Sequence, residues 1–306
     1  MAFVLEVLLG GLLSGVLYAL VALGFVLIYK ASGVLNFAQG SMVLLAGLAF
    51  VKAQAALAAI APFWLAALGA FVFAAAILVA VAWATQRFVL TPLLNQSQLS
   101  LFMATIGLAF VIDSLGQLVF GSEVYALDIG LPRDPVFLLD GVFDGGLLIN
   151  GLDLWGAAIA AILVVALVLF FHRTGTGLAL RAAADDHAAA QSVGIPIAWI
   201  WFVVWTIAGL VALVAALLWG SKLGIQFSIA FLALKALPVL ILGGFTSIPG
   251  AIVGGLLIGA GEKLAEVFLG PMLGGGIEYW FAYVVALSFL LVRPQGLFGE
   301  RIIERV

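Results

Sequence analysis

Long uninterrupted apolar runs constrain this chain more than any other feature of its sequence. The first run extends from Phe3 to Tyr29 and contains a single charged residue, Glu6. An apolar helix of about 20 residues is long enough to cross the hydrocarbon layer of a membrane. In lipid, every backbone polar group must be hydrogen-bonded within the protein. Because the chain is a series of such runs, the sequence predicts an all-α bundle of transmembrane helices rather than a barrel.

Composition supports this class and excludes several others. Hydrophobic residues make up 66% of the 306 and charged residues 9%, whereas a soluble domain has about a quarter charged residues. A net charge of −3 argues against nucleic acid as a partner. The chain has no cysteine, which excludes disulfides, thiolate nucleophiles and sulfur-ligated metals. With only His172 and His187, we expect no metal site.

The apolar runs predict one transmembrane domain over residues 1–306, with about nine spans and eight to ten possible. The seventh and eighth segments are short and could instead form one broken hairpin. The predicted spans are Phe3 to Tyr29, Ser41 to Ile60, Trp64 to Gln86, Leu99 to Phe120, Leu154 to Phe171, Trp199 to Trp219, Ile229 to Gly243, Ala251 to Leu269 and Ile277 to Val292.

Basic residues orient this bundle, since cytoplasmic loops carry an excess of Lys and Arg. The predicted orientation has the amino terminus outside and the carboxyl terminus in the cytoplasm. Residues 121–153 form an acidic loop that we expect outside. The cytoplasmic basic residues are Lys30, Arg87, Arg173, Arg181, Arg293, Arg301 and Arg305; Arg133 and Lys222 fall in outer loops.

A polar stretch follows the fifth span and is too hydrophilic for lipid. It predicts a cytoplasmic loop over residues 173–196 that contains a surface helix from Leu178 to Val193. Thr176 can cap the start of this helix, and Gly194 supplies the usual stop. We expect the helix to be offered to a soluble partner.

Two Gly-rich interruptions lie between apolar runs, and polar side chains cluster in both. Backbone released from a helix at membrane depth persists only where protein or a water-filled cavity satisfies it, and transporters place substrate paths beside such breaks. An ordinary tight turn at the cytoplasmic interface is the alternative for both. The candidate path or gate residues are Asn36, Gln39 and Gly40 in the first break and Thr246, Ser247 and Pro249 in the second.

Ionisable residues inside the apolar runs are few. Asp113 is the one acid well inside a predicted span, which makes it a candidate for a polar path or a proton site. It could instead be a carboxylate satisfied by a neighbouring helix. Lys52, Lys235 and Lys263 are interpreted as interfacial anchors, and Lys263 could pair with the flanking Glu262 and Glu266. The small residues Gly254, Gly255, Gly259, Ala260 and Gly261 predict a face on which another helix backbone can approach closely.

Motifs of several enzyme classes are missing from the sequence. It contains no GxxxxGK[ST] phosphate loop, no HExxH and no GxSxG elbow. No catalytic residue is therefore assigned, and energy for transport would come from a partner or an ion gradient.

Four segments carry a family resemblance. They are GFVLIYKASGVLNFAQG at residues 24–40, TGLALRAAADDHAAAQSVGI at 176–195, LPVLILGGFTSIPGAIVGGLLIGA at 237–260 and RPQGLF at 293–298. Together, and in this order, they resemble the LivH-type permease subunit of bacterial high-affinity branched-chain amino acid ABC importers, within the ribose-type permease superfamily.

The resemblance implies a multi-pass permease of the bacterial inner membrane with the ABC importer permease fold. It implies three kinds of protein partner: a second related permease, two cytoplasmic ATPases that bind ATP and Mg²⁺, and an external substrate-binding protein, with lipid around the bundle. The chain itself would hold no cofactor. The surface helix would dock on an ATPase, a role that the resemblance carries onto Arg181, Asp185, Asp186 and Gly194.

Other functions remain open at this point. Related permeases serve urea, short amides or aromatic acids as well as branched-chain amino acids. An ion-coupled secondary transporter with Asp113 as its ion site is a different mechanism, and a membrane scaffold without a passage is a third.

Overall fold

The computed structural model describes residues 2–93, 96–138, 146–185 and 187–299. Helices dominate these residues and confirm the predicted all-α class of a polytopic membrane protein. The α-helices are α1 Ala2–Ser32, α2 Gln39–Ala58, α3 Phe63–Ala84, α4 Gln98–Phe120, α5 Gly151–Arg173, α6 Gly175–Asp185, α7 His187–Ser192, α8 Ile197–Leu223, α9 Leu232–Gly243, α10 Ile248–Leu273 and α11 Phe281–Val292. A π-helical turn, Thr85–Leu90, and 3₁₀ turns at Phe227–Phe231 and Ile277–Tyr279 extend or join them.

Six helices in the described parts of the chain are long and apolar enough to cross a membrane, and they coincide with the first six predicted spans. Phe227–Gly243 and Ile248–Leu273 form a pair bent by 113°, which adds at most one more span. The structure therefore gives six or seven candidate spans where the sequence predicts about nine. The difference arises because α9 and α11 have 12 residues each, or about 18 Å of helix, against about 30 Å of hydrocarbon.

The helices group into two compact units. The first unit comprises the described parts of Met1–Ala22, Gly130–Val164 and Leu234–Val306, and the second comprises those of Leu23–Ile129 and Val165–Ala233. Three of the four boundaries fall within α1, α5 and α9, and the fourth lies between Ile129 and Gly130.

Helix α2 is the centre of the second unit. It packs against α3, α4, α8 and the 3₁₀ turn at Phe227–Phe231, and every residue from Gln39 to Phe50 is buried. Small residues such as Gly40 and Gly47 occupy positions where a side chain would overlap the neighbouring elements. Close backbone approach through small residues is the usual way in which membrane helices associate.

Helix α3 packs through a narrow stripe of four alanines and one leucine. Its buried positions recur every four residues, which places them on one helical face, while Val72 and Phe73 on other faces are exposed. The stripe is Ala66, Ala70, Ala74, Leu78 and Ala82. One face of α3 therefore contacts protein, and the others are apolar enough for lipid.

The predicted external loop, residues 121–153, has regular structure that the sequence did not predict. Strands Pro135–Leu138 and Leu147–Asn150 form an antiparallel hairpin with Val136 opposite Ile149. The carboxylate of Glu6 on α1 accepts a hydrogen bond from the N–H of Leu148 at 2.8 Å. The loop also ends earlier than predicted, because α5 begins at Gly151. Residues 139–145, including Asp140 and Asp144, lie outside the described residues.

In the first unit, α1 and α10 approach through glycines on both helices. A Cβ atom on Gly15 would overlap the backbone of Gly255, and one on Gly259 would overlap the backbone at Gly15 and Gly11. We call these four residues the α1–α10 glycine interface. The prediction that Gly255 and Gly259 form a face for another helix is confirmed, and α1 is that helix.

The α1–α10 glycine interface predicts a stability difference between neighbouring glycines of one helix. Gly15→Ala should destabilise the protein by about 1–3 kcal/mol, because the added methyl group has to displace backbone atoms of α10. Thermal unfolding of the purified protein in detergent measures the change. Gly10→Ala is the matched control, since nothing lies within 4 Å of a Cβ at Gly10; equal melting temperatures for the two variants would contradict the interface.

Candidate functional site

The first Gly-rich break lies between α1 and α2 and is closed by side-chain amides. Helix α1 ends at Ser32, and Gly33 turns the chain with φ of 68°. The Oδ1 of Asn36 accepts a hydrogen bond from the N–H of Ala38 at 3.1 Å. The Nε2 of Gln39 donates to the carbonyl of Ala208 on α8 at 3.3 Å. Asn36 and Gln39 are both fully buried, so the break is a packed joint inside the second unit.

Two glycines make this joint possible. The side chain of Gln39 lies against Gly24 of α1, where any Cβ would overlap its amide. A Cβ on Gly40 would overlap the carbonyl of Ala230, in the 3₁₀ turn before α9. The predicted candidate Gly40 is therefore a close-packing position rather than a lining residue.

Thr105 of α4 also holds the joint, and no sequence pattern pointed to it. Its Oγ1 accepts a hydrogen bond from the N–H of Phe37 at 3.3 Å. Two carbonyls share its single proton, that of Phe102 in its own helix at 2.9 Å and that of Leu35 in the joint at 3.2 Å. These contacts satisfy backbone groups that no helix satisfies, as a break at membrane depth requires.

Asp113 lies on α4 beside the start of α2. Its carboxylate lies beside the hydroxyl of the buried Ser41. One carboxylate oxygen, Oδ1, is buried and has no hydrogen-bond partner among the described residues. The structure thus brings Asp113 next to the joint that contains Asn36, Gln39 and Gly40, an association that their separation along the chain does not reveal.

The second break, between α9 and α10, is a tight turn closed by backbone contacts. The Oγ of Ser247 caps α10 by accepting a hydrogen bond from the N–H of Gly250 at 3.0 Å, and Pro249 lies in the first turn of that helix. Thr246 and Ser247 are half-buried and Pro249 is exposed. The backbones of Gly243 and Gly250 are in contact.

The segment RPQGLF returns to this second break. The N–H of Leu297 donates to the carbonyl of Leu242 at 2.8 Å, and the N–H of Phe298 donates to the carbonyl of Gly243 at 3.1 Å. Both carbonyls belong to the end of α9, where no intrahelical donor is available. Two segments that the sequence singled out separately therefore form one structure.

The polar stretch after α5 is helical, as predicted, but the predicted bounds Leu178 to Val193 are wrong, since α6 begins at Gly175 and α7 ends at Ser192. Helices α6 and α7 lie on either side of Asp186, which is outside the described residues. The predicted cap at Thr176 is wrong: Thr174 caps α6, with its Oγ1 accepting a hydrogen bond from the N–H of Gly177 at 3.0 Å. The turn between α5 and α6 is tight, because Gly177 packs directly on the carbonyls of Phe170 and Phe171.

The helical stretch stops at Gly194, as predicted. Its φ is 87°, its N–H donates to the carbonyl of Gln191, and the N–H of Ile195 donates to the carbonyl of Ala190. This pair of bonds is the Schellman motif that ends many helices at a glycine.

Arg181 faces inward and Asp185 faces solvent. Arg181 lines a small pocket with Lys30, Leu27, Ala31, Phe171 and Leu180, and its Nε is buried without a hydrogen-bond partner among the described residues. Asp185 is exposed. Two apolar side chains of the same surface are also exposed, Leu178 at 61% and Val193 at 76%.

A cluster of charged and phenolic side chains in the first unit was missed by the sequence. Glu262 of α10 is 4% exposed, and its carboxylate lies beside the Tyr18 hydroxyl of α1. The Nζ of Lys235 on α9 lies 3.5 Å from the same hydroxyl. We call Tyr18, Lys235 and Glu262 the Lys–Tyr–Glu cluster.

The predicted pairing of Lys263 with Glu262 and Glu266 differs from the ion pair in the structure. Among the described residues, Lys263 forms its ion pair with Glu278, at 4.0 Å. Glu266 accepts hydrogen bonds from the N–H groups of Gly276 at 3.0 Å and Glu278 at 3.1 Å.

A signal for the Lys–Tyr–Glu cluster was present in the sequence. Tyr18 and Glu262 each lie three residues after a glycine of the α1–α10 glycine interface and so share its face.

Comparisons with known proteins agree along the whole chain. The family model described as branched-chain amino acid transport system / permease component matches residues 7–292. The high-affinity branched-chain amino acid transport system permease protein BraD of Pseudomonas aeruginosa is 32% identical over 311 residues, which cover 99% of this chain and 98% of BraD. The corresponding LivH proteins of Salmonella typhimurium and Escherichia coli are each 29% identical over 318 residues, with 99% and 98% of the two chains covered.

A solved structure, PsaBC from Streptococcus pneumoniae in complex with Fab, matches with a TM-score of 0.44 and 16% identity over 94% of this chain and 90% of the other. That similarity is too low to support a structural argument. The family match and the apolar helices identify a multi-pass protein of the inner, or plasma, membrane. The chain belongs to the family of permease components of branched-chain amino acid transport systems.

Proposed function

We propose that this chain is the transmembrane permease subunit of an ATP-driven ABC importer that moves branched-chain amino acids from an external binding protein into the cytoplasm. The observation that carries this proposal is the similarity to BraD and LivH over 99% of the chain. Because the sequence has no phosphate-binding loop of the GxxxxGK[ST] type, ATP and Mg²⁺ would be bound by partner ATPases. The chain itself would be non-catalytic and hold no cofactor.

The proposed assembly contains a second related permease, two cytoplasmic ATPases and the binding protein. Arg181, Asp185, Asp186 and Gly194 would form the docking surface for an ATPase. Three features support this proposal. Asp185 and Leu178 are exposed, and Gly177 packs closely on the end of α5. Because α6 packs directly on the end of α5, a displacement of α6 would be passed into α5. The bundle would then rearrange about its Gly-rich breaks and open the passage to the other side.

The proposed orientation has the amino terminus outside and the carboxyl terminus in the cytoplasm. Lys30 lies in the last turn of α1, Arg87 in the π-helical turn after α3, and Arg173 at the end of α5. These three ends share one side of the membrane if the helices alternate in direction, as the excess of basic residues in cytoplasmic loops requires. With the amino terminus outside, the carboxyl terminus lies in the cytoplasm when the bent pair counts as the seventh span, because an odd number of spans places the two termini on opposite sides.

The absence of native cysteine makes this orientation testable by single substitutions. Ser192→Cys should react with a membrane-impermeant thiol reagent in inverted vesicles and stay unlabelled in cells with a permeable outer membrane. Ser122→Cys is the matched control and should show the opposite pattern, since both serines are exposed. Labelling of Ser192→Cys from outside would overturn the orientation and the docking role together.

Charge reversal on α6 tests the docking surface. Asp185→Arg, alone or together with Arg181→Glu, should lower ATPase assembly or transport-coupled hydrolysis about tenfold or more, because the exposed position 185 would then present a like charge to a basic partner surface. Co-purification of the ATPases and hydrolysis in proteoliposomes measure the effect. Glu123→Lys, an exposed acid of the predicted external loop, is the control. Unchanged assembly and hydrolysis would rule out docking through these residues.

An ion-coupled transporter is a second candidate, favoured by one observation. The buried Oδ1 of Asp113 lacks a partner among the described residues, and buried acids in membrane helices often carry protons or ions. In that mechanism, Asp113 would be the ion site and no ATPase would be needed.

Asp113→Asn separates the two mechanisms in reconstituted vesicles. For the importer, we expect uptake by wild type and by the variant to require ATP and the ATPases, and to persist when ion gradients are collapsed. Gradient-driven uptake by the isolated wild-type chain, abolished in Asp113→Asn, would establish the second candidate instead. The same vesicles report whether urea, short amides or aromatic acids compete with leucine, which distinguishes the other substrates found in this family.

A further inference from the structure

The Lys–Tyr–Glu cluster places opposite charges close together without a direct ion pair. The Nζ of Lys235 donates to the hydroxyl of Tyr18 at 3.5 Å, and that hydroxyl lies beside the carboxylate of Glu262. Among the described residues, no carboxylate lies within 4.0 Å of the Lys235 ammonium. The phenol therefore stands between an ammonium group and a carboxylate that attract each other.

The neighbouring charged groups are already engaged. Glu266 accepts two backbone hydrogen bonds, from Gly276 and Glu278. Lys263 pairs with Glu278. Glu262 and Lys235 are left to each other, with the Tyr18 hydroxyl between them.

Burial of charged groups that form no direct ion pair costs free energy. Glu262 is 4% exposed and Tyr18 7% exposed, and both lie in apolar helices. Ionisable residues at such depth are rare and mark substrate or ion pathways. Lys235 is half-buried, and its ammonium lies 5.7 Å from the ring centre of Tyr18 and 5.4 Å from that of Tyr279. These distances allow cation–π attraction, which holds the ammonium beside the two rings.

The surrounding backbone holds the cluster in a fixed geometry. Tyr18 and Glu262 lie one turn beyond Gly15 and Gly259, where α1 and α10 are in backbone contact. Lys235 is carried by α9, whose far end packs on α10 through Gly254. A site fixed by rigid helices can bind a small molecule without first ordering its own side chains.

We propose that the Lys–Tyr–Glu cluster contacts the charged groups of a zwitterionic α-amino acid as it passes through the permease. This inference rests on the proposed importer function and adds a selective contact to it. The substrate carboxylate would bind the ammonium of Lys235, and the substrate ammonium would bind the carboxylate of Glu262. The Tyr18 hydroxyl, which can donate or accept, would serve either group. The apolar side chain of the substrate would need only the apolar surface of the neighbouring helices.

The chemistry distinguishes a zwitterion from the other substrates of this family. Urea and short amides carry no charge to match either partner, and an aromatic acid without an amino group would leave Glu262 unmatched. A molecule with both charges satisfies both partners and adds no net charge to a low-dielectric site, where an unpaired charge is costly.

Neutral variants of the two charged partners test this contact in the complete reconstituted complex with its binding protein. Glu262→Gln and Lys235→Met should each lower the leucine transported per ATP hydrolysed about tenfold or more, because each removes a charge-assisted hydrogen bond. Hydrolysis stimulated by the loaded binding protein should persist, which shows that the complex assembles. Lys235→Arg keeps the charge and should restore transport. Lys263→Met, next to Glu262 but paired with Glu278, is the matched control.

The double variant Lys235→Met with Glu262→Gln separates this contact from a purely structural ion pair. A structural pair predicts recovery, because no uncompensated charge remains, whereas a substrate contact predicts that the double variant is as defective as the worse single one. Recovery, or single variants that transport like wild type, would overturn the inference. Failure of the wild-type complex to import leucine would instead contradict the proposed function.

Discussion

Backbone hydrogen bonding inside an apolar layer is the constraint on which this structure depends. Wherever a helix stops, other parts of the protein supply the missing partners. Thr105 satisfies groups of Phe37 and Leu35 at the first break, and Leu297 and Phe298 supply N–H donors at the second. The two breaks are thus specific, fully bonded joints, and their glycines exist because the joined backbones lie so close.

The polar residues at membrane depth fall into two groups with different consequences. Asn36 and Gln39 are neutral, fully buried and bonded within the second unit, so they fix the shape of a joint. Glu262 and Lys235 in the first unit carry charge, and a hydroxyl separates them. A neutral amide that is satisfied internally stabilises one conformation, whereas a separated charge pair retains attraction for a third molecule.

Much of this structure follows from the sequence where the determining interactions are local. The first six spans are predictable because each apolar run is long enough by itself to cross the membrane as a helix. The stop at Gly194 follows from the conformational freedom of glycine. Interactions between distant segments are not visible to such reasoning. Spacing along α10 suggested Lys263 as the partner of Glu262, but the partner is Tyr18 of α1. The choice of Thr174 over Thr176 likewise depends on the packing of Gly177 against the end of α5.

The contact between RPQGLF and the end of α9 has a consequence for biosynthesis. A membrane protein is inserted as it is translated, so α9 enters the bilayer before residues 297 and 298 exist. Until α10 and α11 have been made, the carbonyls of Leu242 and Gly243 lack the donors that they have in the finished protein. The α9–α10 hairpin therefore completes its bonding late, and the ribosome has to release this downstream segment before the turn reaches its mature form.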